Sequence, residues 1–376
     1  MQIAIGGVTY RLIVMATKVL FSLSSLDRLL RGEAYNGARF IILLDENTYN
    51  LCMPILLNRL KSLEDAEFFE VPAGESCKRM ATAMQLWDMM LEERVDRNAV
   101  IINLGGGSIC DLGGFVAAGY KRGIRYINVP TTLVAMADAA IGGKTAVDWE
   151  LHPHGDAVPP LLLKNQIGFM YHADAVCIDT VFLKSLDERS TVSGCFEMLK
   201  TMALASPDDY RDMLDDGLRS VKPSQLKECV RIKQAVVKAD PNEHGLRRIL
   251  NFGHTFGHAI ELYGCDKGQN LTHGCAVGVG MLCAIYLSVR KLGFDNGEYT
   301  RYGALLTEVL HRCGYELPRY SLRDAEALLA YMRHDKKNAD NEIRCVLLKN
   351  LGEPVIDVTV GDMEIRDTFL SLRGNS

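Results

Sequence analysis

The chain has 376 residues, which is long enough to expect two cores rather than one. Its 48% hydrophobic and 24% charged content is that of a soluble globular protein, and the net charge of −5 argues against a nucleic-acid surface, which needs a basic stripe. A local basic pocket for a small anion is still allowed. The 11 cysteines are scattered without a CxxC pair, the pattern of reduced thiols in a cytoplasmic protein rather than of a disulfide framework. The apolar run Leu12 to Leu23 contains Lys18, is too short to span a bilayer, and precedes no signal-peptide cleavage pattern.

Residues 1–30 are ambiguous: VTYRLIV alternates as a strand does, and SSLDRLL reads as the start of a helix. RFIILL (Arg39 to Leu44) predicts a buried strand ending at Asp45, which is either a ligand contact at the strand's carboxyl end or the cap of the next helix. A second strand, FFEVPAG, leads to Glu75, with Lys78 one turn on. A third, AVIINLGGG (Ala99 to Gly107), runs into GGGSICDLGG. That turn suits a phosphate cradle, because glycines let backbone amides approach an anion at a helix start. Its other reading is a tight turn with close helix packing. It is not the usual dinucleotide fingerprint, since Cys110 stands where the third glycine belongs.

The strand RYINVP follows, then TTLVAMADAAIGGKT, with Thr131 and Thr132 at a strand end and Asp138 on a helical stretch. Gly142, Gly143 and Lys144 offer backbone amides and an ammonium to a phosphate or carboxylate, against the alternative of a solvated lysine. Residues 148–163 read as a long Pro-rich loop in which His152 and His154 are surface decoration. Lys164 and Asn165 close it. After the strand AVCIDT the pattern turns helical from about Asp187. Glu197 and Lys200 sit one turn apart with apolar flanks, so they are either a surface ion pair or a buried functional one. A helix carrying Lys233 follows from Gln225 to Ala239, and the turn DPNEHGLRR carries Glu243 and Arg247. Helices are expected near Glu298–Cys313 and Leu322–Met332, and HDKKNADNEIRCVLL follows as a lysine pair at a turn before a strand.

The most informative stretch is RRILNFGHTFGHAIELYGCDKGQNLTHG, from Arg247. Four-residue spacing puts His254 and His258 on one helix face, and His273 comes from the following element after a loop. This is a metal-site pattern; core or capping histidines are the alternative. Asn251 lies one turn before His254 and Arg247 one turn before that, as read on a continuous helix.

Taken in order, LLDEN, GGGSICDLGG, KRGIRYINVPTTLVAMADAAIGGKT, LKNQIG, FEMLK, LRRILNFGHTFGHAIE, LTHG and DKKN resemble the 3-dehydroquinate synthases, a family of sugar phosphate cyclases, over nearly the whole chain. The resemblance implies an α/β Rossmann-like NAD-binding domain at residues 1–185. It implies an all-α, mainly helical metal- and substrate-binding domain at 186–376. It also implies conversion of 3-deoxy-D-arabino-heptulosonate 7-phosphate to 3-dehydroquinate and phosphate, with NAD recycled, on zinc or cobalt. The metal ligands fall on Glu197, His254 and His273, whereas His258 becomes an acid–base group. Glu243 is the other proton acceptor, and Lys144 and Lys200 join the catalytic set. Substrate contacts fall on Asp138, Lys144, Asn165, Lys200, Lys233, Arg247, Asn251, Lys336 and Lys337, with Arg122 reaching phosphate across a homodimer interface. NAD contacts fall on Asp45, Glu75, Lys78, Gly106, Gly107, Ser108, Asp111, Thr131, Thr132, Asp138, Lys144, Lys164, Phe182 and Ser185.

Two departures stand out. Asp148 replaces the family's usual Asn and is expected to face away from an anionic substrate, and Cys275 replaces Glu in HGEAV beside the metal ligand. The competing readings are a cyclase for sedoheptulose 7-phosphate or glucose 6-phosphate, a metal-dependent alcohol or glycerol dehydrogenase, and a NAD-binding regulatory module. The Lys, Arg and ligand set weighs against each.

Overall fold

Three runs, FIILLD, VIINLG and RYINVP, are apolar along nearly their whole length, which suits strands covered on both faces. In the computed structural model, which describes residues 2–5, 8–11, 17–151, 161–333 and 342–372, they form the middle of a parallel sheet. The described chain divides into two compact units. One holds the residues up to Thr131 together with Gly143–Phe182, and the other holds Thr132–Gly142 and the residues from Leu183 onward.

The first unit is α/β. After a small antiparallel pair, β1 (Gln2–Ile5) and β2 (Val8–Arg11), come β3 (Lys18–Leu20), α1 (Leu23–Leu30), β4 (Phe40–Asp45), α2 (Glu46–Leu51) and α3 (Met53–Arg59). Then follow β5 (Glu67–Val71), α4 (Met80–Glu92), β6 (Val100–Gly105), α5 (Gly107–Gly119) and β7 (Arg125–Pro130). The unit ends with β8 (Lys144–Leu151), β9 (Leu161–Met170) and β10 (Ala175–Cys177). The sheet order is β3-β10-β7-β6-β4-β5, all parallel. From β4 the chain steps outward to β5, then returns to β4's other side at β6. The switch point, where such folds bind ligands, therefore lies at the carboxyl ends of β4 and β6. Within the sheet, the buried Asn103 side-chain amide donates to Asn128 Oδ1 at 2.8 Å.

The stretch 148–163 is not a plain loop. Strand pairing continues through Trp149↔Leu163, Glu150↔Leu162 and Leu151↔Leu161, with a bulge between Val147 and Trp149. The bulge masks the alternation that sequence reading depends on. Lys164 and Asn165 lie inside β9 rather than closing a loop. His152 and His154 lie outside the described residues.

Among the described residues, the second unit is helical apart from one hairpin. It contains a π-helical turn (Ala135–Ala139), α6 (Glu188–Ala205), α7 (Pro207–Asp216), α8 (Pro223–Ala239) and a 3-10 turn (Leu246–Asn251). It continues with α9 (His254–Lys267), α10 (His273–Leu292), α11 (Asn296–Arg312), α12 (Leu322–Arg333), the antiparallel strands β11 (Ile343–Asn350) and β12 (Glu353–Val360), and α13 (Asp362–Ser371). Two sequence expectations change here. Arg247, Asn251 and His254 do not share a helix, because Phe252 leaves helical geometry at ψ 126° and Gly253 takes φ +76°, breaking the helix before α9. Residues 132–142 join the helical unit: their π turn packs on α6 and α8, and Gly194 meets Leu133 too closely for a side chain.

Helix α10 organises this unit. It has the length and composition of a membrane span, but 72% of its apolar window is buried, against α6, α9, α11 and β11. It approaches α9 so closely that a Cβ on Gly280 would lie 2.1 Å from Gly253 O and 2.6 Å from Gly257 N. Backbone cannot yield as a flexible side chain can. Gly280→Ala is therefore expected to cost roughly 1–3 kcal/mol, read as a lower urea midpoint with unchanged slope.

Candidate functional site

In the first unit the glycine turn sits at the switch point. Gly106 caps α5 without a side-chain hydrogen bond, which leaves the first-turn amides for an anion. A Cβ on Gly105 would lie 2.5 Å from Ile109 Cβ, so only glycine permits this turn. This backbone cradle fits a dinucleotide pyrophosphate. Asp45 does serve as a cap: Oδ1 accepts from Thr48 N at 2.8 Å, and Thr48 Oγ1 accepts from Asp45 N at 2.9 Å.

Around α5 several expected residues meet. Ser108 Oγ and Glu75 Oε1 hydrogen-bond at 2.6 Å. Lys78 Nζ lies 2.6 Å from Asp111 Oδ2 and donates to Asn165 Oδ1 at 2.5 Å. Asp148 is buried, and its Oδ1 accepts Asn165 N at 2.9 Å, holding Asn165 at φ +56°. Burial raises its pKa, an effect that Asn165 N–H and Lys78 only partly offset. Thr131 is buried with its amide on Gly105 O at 2.9 Å, and Phe182 is buried in the turn after β10. Lys144 is exposed at the start of β8, and Lys164 is half-buried in β9. Arg122 is not brought to this group. It is exposed at φ +66° beyond the far end of α5, roughly 20 Å along the helix from Ser108.

In the second unit a chain of charges runs through buried space. Lys233 Nζ donates to Asp138 Oδ1 at 2.6 Å and to its backbone carbonyl at 2.5 Å. Lys200 Nζ stands 3.8 Å from Asp138 and 2.6 Å from Glu197 Oε2. Glu197 Oε1 lies 3.6 Å from His254 Nε2 and 3.4 Å from His273 Nε2. The nitrogens of His254, His258 and His273 lie within 4.8 Å of one another. Two histidines are thus common to two donor sets, with Glu197 or His258 as the third. The orphaned atoms favour the carboxylate: Glu197 is 1% exposed, and neither oxygen has a hydrogen bond of sound geometry, even with Lys200 beside it. A divalent cation would satisfy those oxygens, and a carboxylate with two imidazoles suits zinc or cobalt.

Burial opposes the charge of Glu197 and of Asp138. For Glu197 the neighbours Lys200, His254 and His273 outweigh burial, and for Asp138 Lys200 and Lys233 do, so both carboxyls titrate below their ordinary range. Burial also opposes Lys200, yet Asp138 and Glu197 hold its pKa above the ordinary value. Lys233 stays lowered by burial despite Asp138. Burial, then Lys200, push His254 well below the usual imidazole range, leaving the neutral form that a metal needs. For His273 burial is outweighed by Glu197 and Glu261, which push it up to about 10.

Beside this chain, Arg247 is buried and donates to Gly142 O at 3.0 Å and Pro241 O at 2.8 Å. Asn251 Nδ2 donates to Glu243 Oε1 at 2.9 Å, with Glu243 at φ +59°. Thr132 Oγ1 accepts from Ala135 N at 3.3 Å, and Ser185 is exposed. Lys336 and Lys337 lie outside the described residues. Sequence reading missed Asp240, which accepts the amides of His244, Gly245 and Arg247 and so shapes the loop that carries Glu243. It also missed Glu261, which meets His273 Nδ1 at 2.9 Å. The signal was present as HxxxHxxE, one stripe of a helix.

Lys200→Met would leave Glu197 and Asp138 short of a buried cation, with an expected loss of about 3–5 kcal/mol in metal-free protein. Zinc at 100 times its dissociation constant should return about 2.7 kcal/mol, seen in paired urea melts.

Residues 68–193 match the family model described as 3-dehydroquinate synthase N-terminal, and residues 194–338 the one described as 3-dehydroquinate synthase C-terminal. The 3-dehydroquinate synthase of Parabacteroides distasonis is 35% identical over 335 residues, which is 88% of this chain and 90% of that one. Among solved structures, 2-epi-5-epi-valiolone synthase from Streptomyces hygroscopicus, with NAD+ and Zn2+ bound, has a TM-score of 0.78 at 25% identity, covering 96% of this chain and 98% of its own. A 2-deoxy-scyllo-inosose synthase complexed with carbaglucose-6-phosphate, NAD+ and Co2+ shares the fold, with a TM-score of 0.77 at 23% identity and 99% coverage of both chains. The chain belongs to the 3-dehydroquinate synthase family.

Proposed function

We propose that this chain converts 3-deoxy-D-arabino-heptulosonate 7-phosphate to 3-dehydroquinate and phosphate, a step of the shikimate pathway to aromatic amino acids. It acts as a phosphate-eliminating carbon–oxygen lyase that depends on NAD and a divalent metal. The observation that carries the reading is the meeting of buried Glu197 with His254, His273 and Lys200 in a chain of the family. The NAD+ and Zn2+ or Co2+ of the two cyclase structures support the same cofactors here. The α/β unit, expected at residues 1–185 but without 132–142, serves as the NAD-binding domain, and the helical unit, expected at 186–376, as the metal- and substrate-binding domain.

Glu197, His254 and His273 would hold the metal. When bound, a divalent ion supplies Lewis-acid polarisation of the substrate's hydroxyls. Asp45, Glu75, Lys78, Gly106, Gly107, Ser108, Asp111, Thr131, Thr132, Asp138, Lys144, Lys164, Phe182 and Ser185 would hold NAD, which when bound would supply a reversible hydride acceptor for C5. The C5 ketone acidifies the C6 proton, phosphate leaves, C5 is reduced again, and ring opening with an internal aldol addition closes the carbocycle. His258 and Glu243 move protons. Asn251 orients Glu243 through its 2.9 Å hydrogen bond. Lys200, with its pKa raised by two carboxylates, stays charged beside them. Asp138, Lys144, Asn165, Lys200, Lys233, Arg247, Asn251, Lys336 and Lys337 bind a substrate bearing a carboxylate and a phosphate, which is a task for several cations.

The protein works as a homodimer. Arg122, exposed beyond the far end of its own α5, serves the partner subunit's phosphate site. The 11 free cysteines fit a cytoplasmic location.

With NAD and zinc present, the heptulosonate phosphate should yield phosphate and dehydroquinate in equal amounts with no net NADH. Absence of phosphate release, or NADH accumulating with it, overturns the reading. His258→Ala should keep the metal and lose about 10²–10⁴ in kcat, while loss of metal instead would make His258 a ligand.

A further inference from the structure

We propose that Glu261 is a positioning residue for the metal: by accepting the Nδ1–H of His273, it fixes that ring with Nε2 turned toward the ion. The inference rests on the metal reading above.

The two ring nitrogens of His273 have different partners. Nδ1 is 2.9 Å from Glu261 Oε2, and Nε2 is 3.4 Å from Glu197 Oε1. One nitrogen cannot serve both roles, so an Nδ1–H donated to Glu261 leaves the Nε2 lone pair for a cation. Glu261 lies on α9, three residues after His258 and seven after His254, so a 100° step per residue puts all three within one narrow stripe. The first residue of α10, His273, is laid against that stripe, 5.6 Å from His254 and 5.8 Å from His258 between ring centroids.

His254 is handled in a parallel way. Its Nδ1 faces Phe252 O at 3.3 Å and its Nε2 faces Glu197. Both rings therefore present the same nitrogen. They differ in the tether, which is a neutral carbonyl for His254 and a carboxylate for His273. His273 needs the stronger one. Its side chain is 36% exposed against 10% for His254, so packing restrains it less. The Glu261 side chain is only 14% exposed, so its bond to His273 is poorly reached by competing water. A plain ion pair closing the turn between α9 and α10 is the rival account, and it predicts loss of stability without selective loss of metal.

The test titrates metal-stripped protein with cobalt(II), followed by visible absorption, and melts each metal-free variant alongside. Glu261→Ala should bind cobalt about 10- to 100-fold more weakly than wild type. Glu261→Gln, which keeps an acceptor oxygen, should recover part of that loss and melt like wild type. Should the alanine variant fail to fold, Glu261→Leu removes the acceptor while keeping the bulk, and should lose affinity as alanine does. Unchanged affinity in the variants without an acceptor, or a glutamine variant as weak as they are, overturns the proposal. So does a drop in metal-free melting temperature with affinity intact. If wild type itself binds no cobalt and His254→Ala makes no difference, the metal reading fails, a result distinct from failure at Glu261 alone.

Discussion

A carboxylate removed from water has to be met by charge or by hydrogen-bond donors, and Glu197 is met almost wholly by charge. Lys200 is 2.6 Å from one oxygen, and two imidazole nitrogens are within 3.6 Å of the other. The surrounding helices explain how this is held. α6 brings Glu197 and Lys200 on one face, while α9 and α10 each begin with a histidine. Glycines at the α9–α10 crossing let the two backbones come close enough for the rings to share a neighbour. The same charge sets the protonation of its surroundings, keeping Lys200 cationic and sharing His273 with Glu261.

From Glu197 the charges alternate outward. Lys200 is shared with Asp138, and Asp138 with Lys233, so each buried ion has an opposite neighbour. Such a string is costly to assemble and gains little stability over apolar packing. Its retention makes sense where charges must be held in fixed positions for a charged ligand. The first unit applies the same economy of means with backbone: an uncapped helix start at the switch point offers amides where the second unit offers side chains. Around it, Lys78 is clamped by Asp111 and Asn165, and Asp148 fixes Asn165 in a left-handed conformation. The carboxylate at 148, which sequence comparison alone made look unhelpful, has become a structural acceptor.

Much of this is legible in the sequence. The apolar runs marked β4, β6 and β7, the glycine turn marked the start of α5, and the change of period near Asp187 marked α6, because these signals are local. The apolar flanks of Glu197 and Lys200 correctly implied burial. Less legible were features with opposing local signals. A bulge hid the strand pairing after Val147, and Gly253 broke what reads as a continuous helix from Arg247.

What the sequence determined by itself was the set of chemical parts: histidines at helical spacing, lysines and arginines in number, glycines at the end of a strand. The tertiary structure alone decided which parts meet. Asp138 is 95 residues from Lys233, and Glu197 is 76 from His273; periodicity carries no information across such separations. It decided that residues 132–142 join the helical unit, and that Glu261 rather than solvent meets the outer nitrogen of His273. The reason is physical. Spacing along a chain fixes which face a side chain occupies, but only the packing of one helix on another fixes what that face touches.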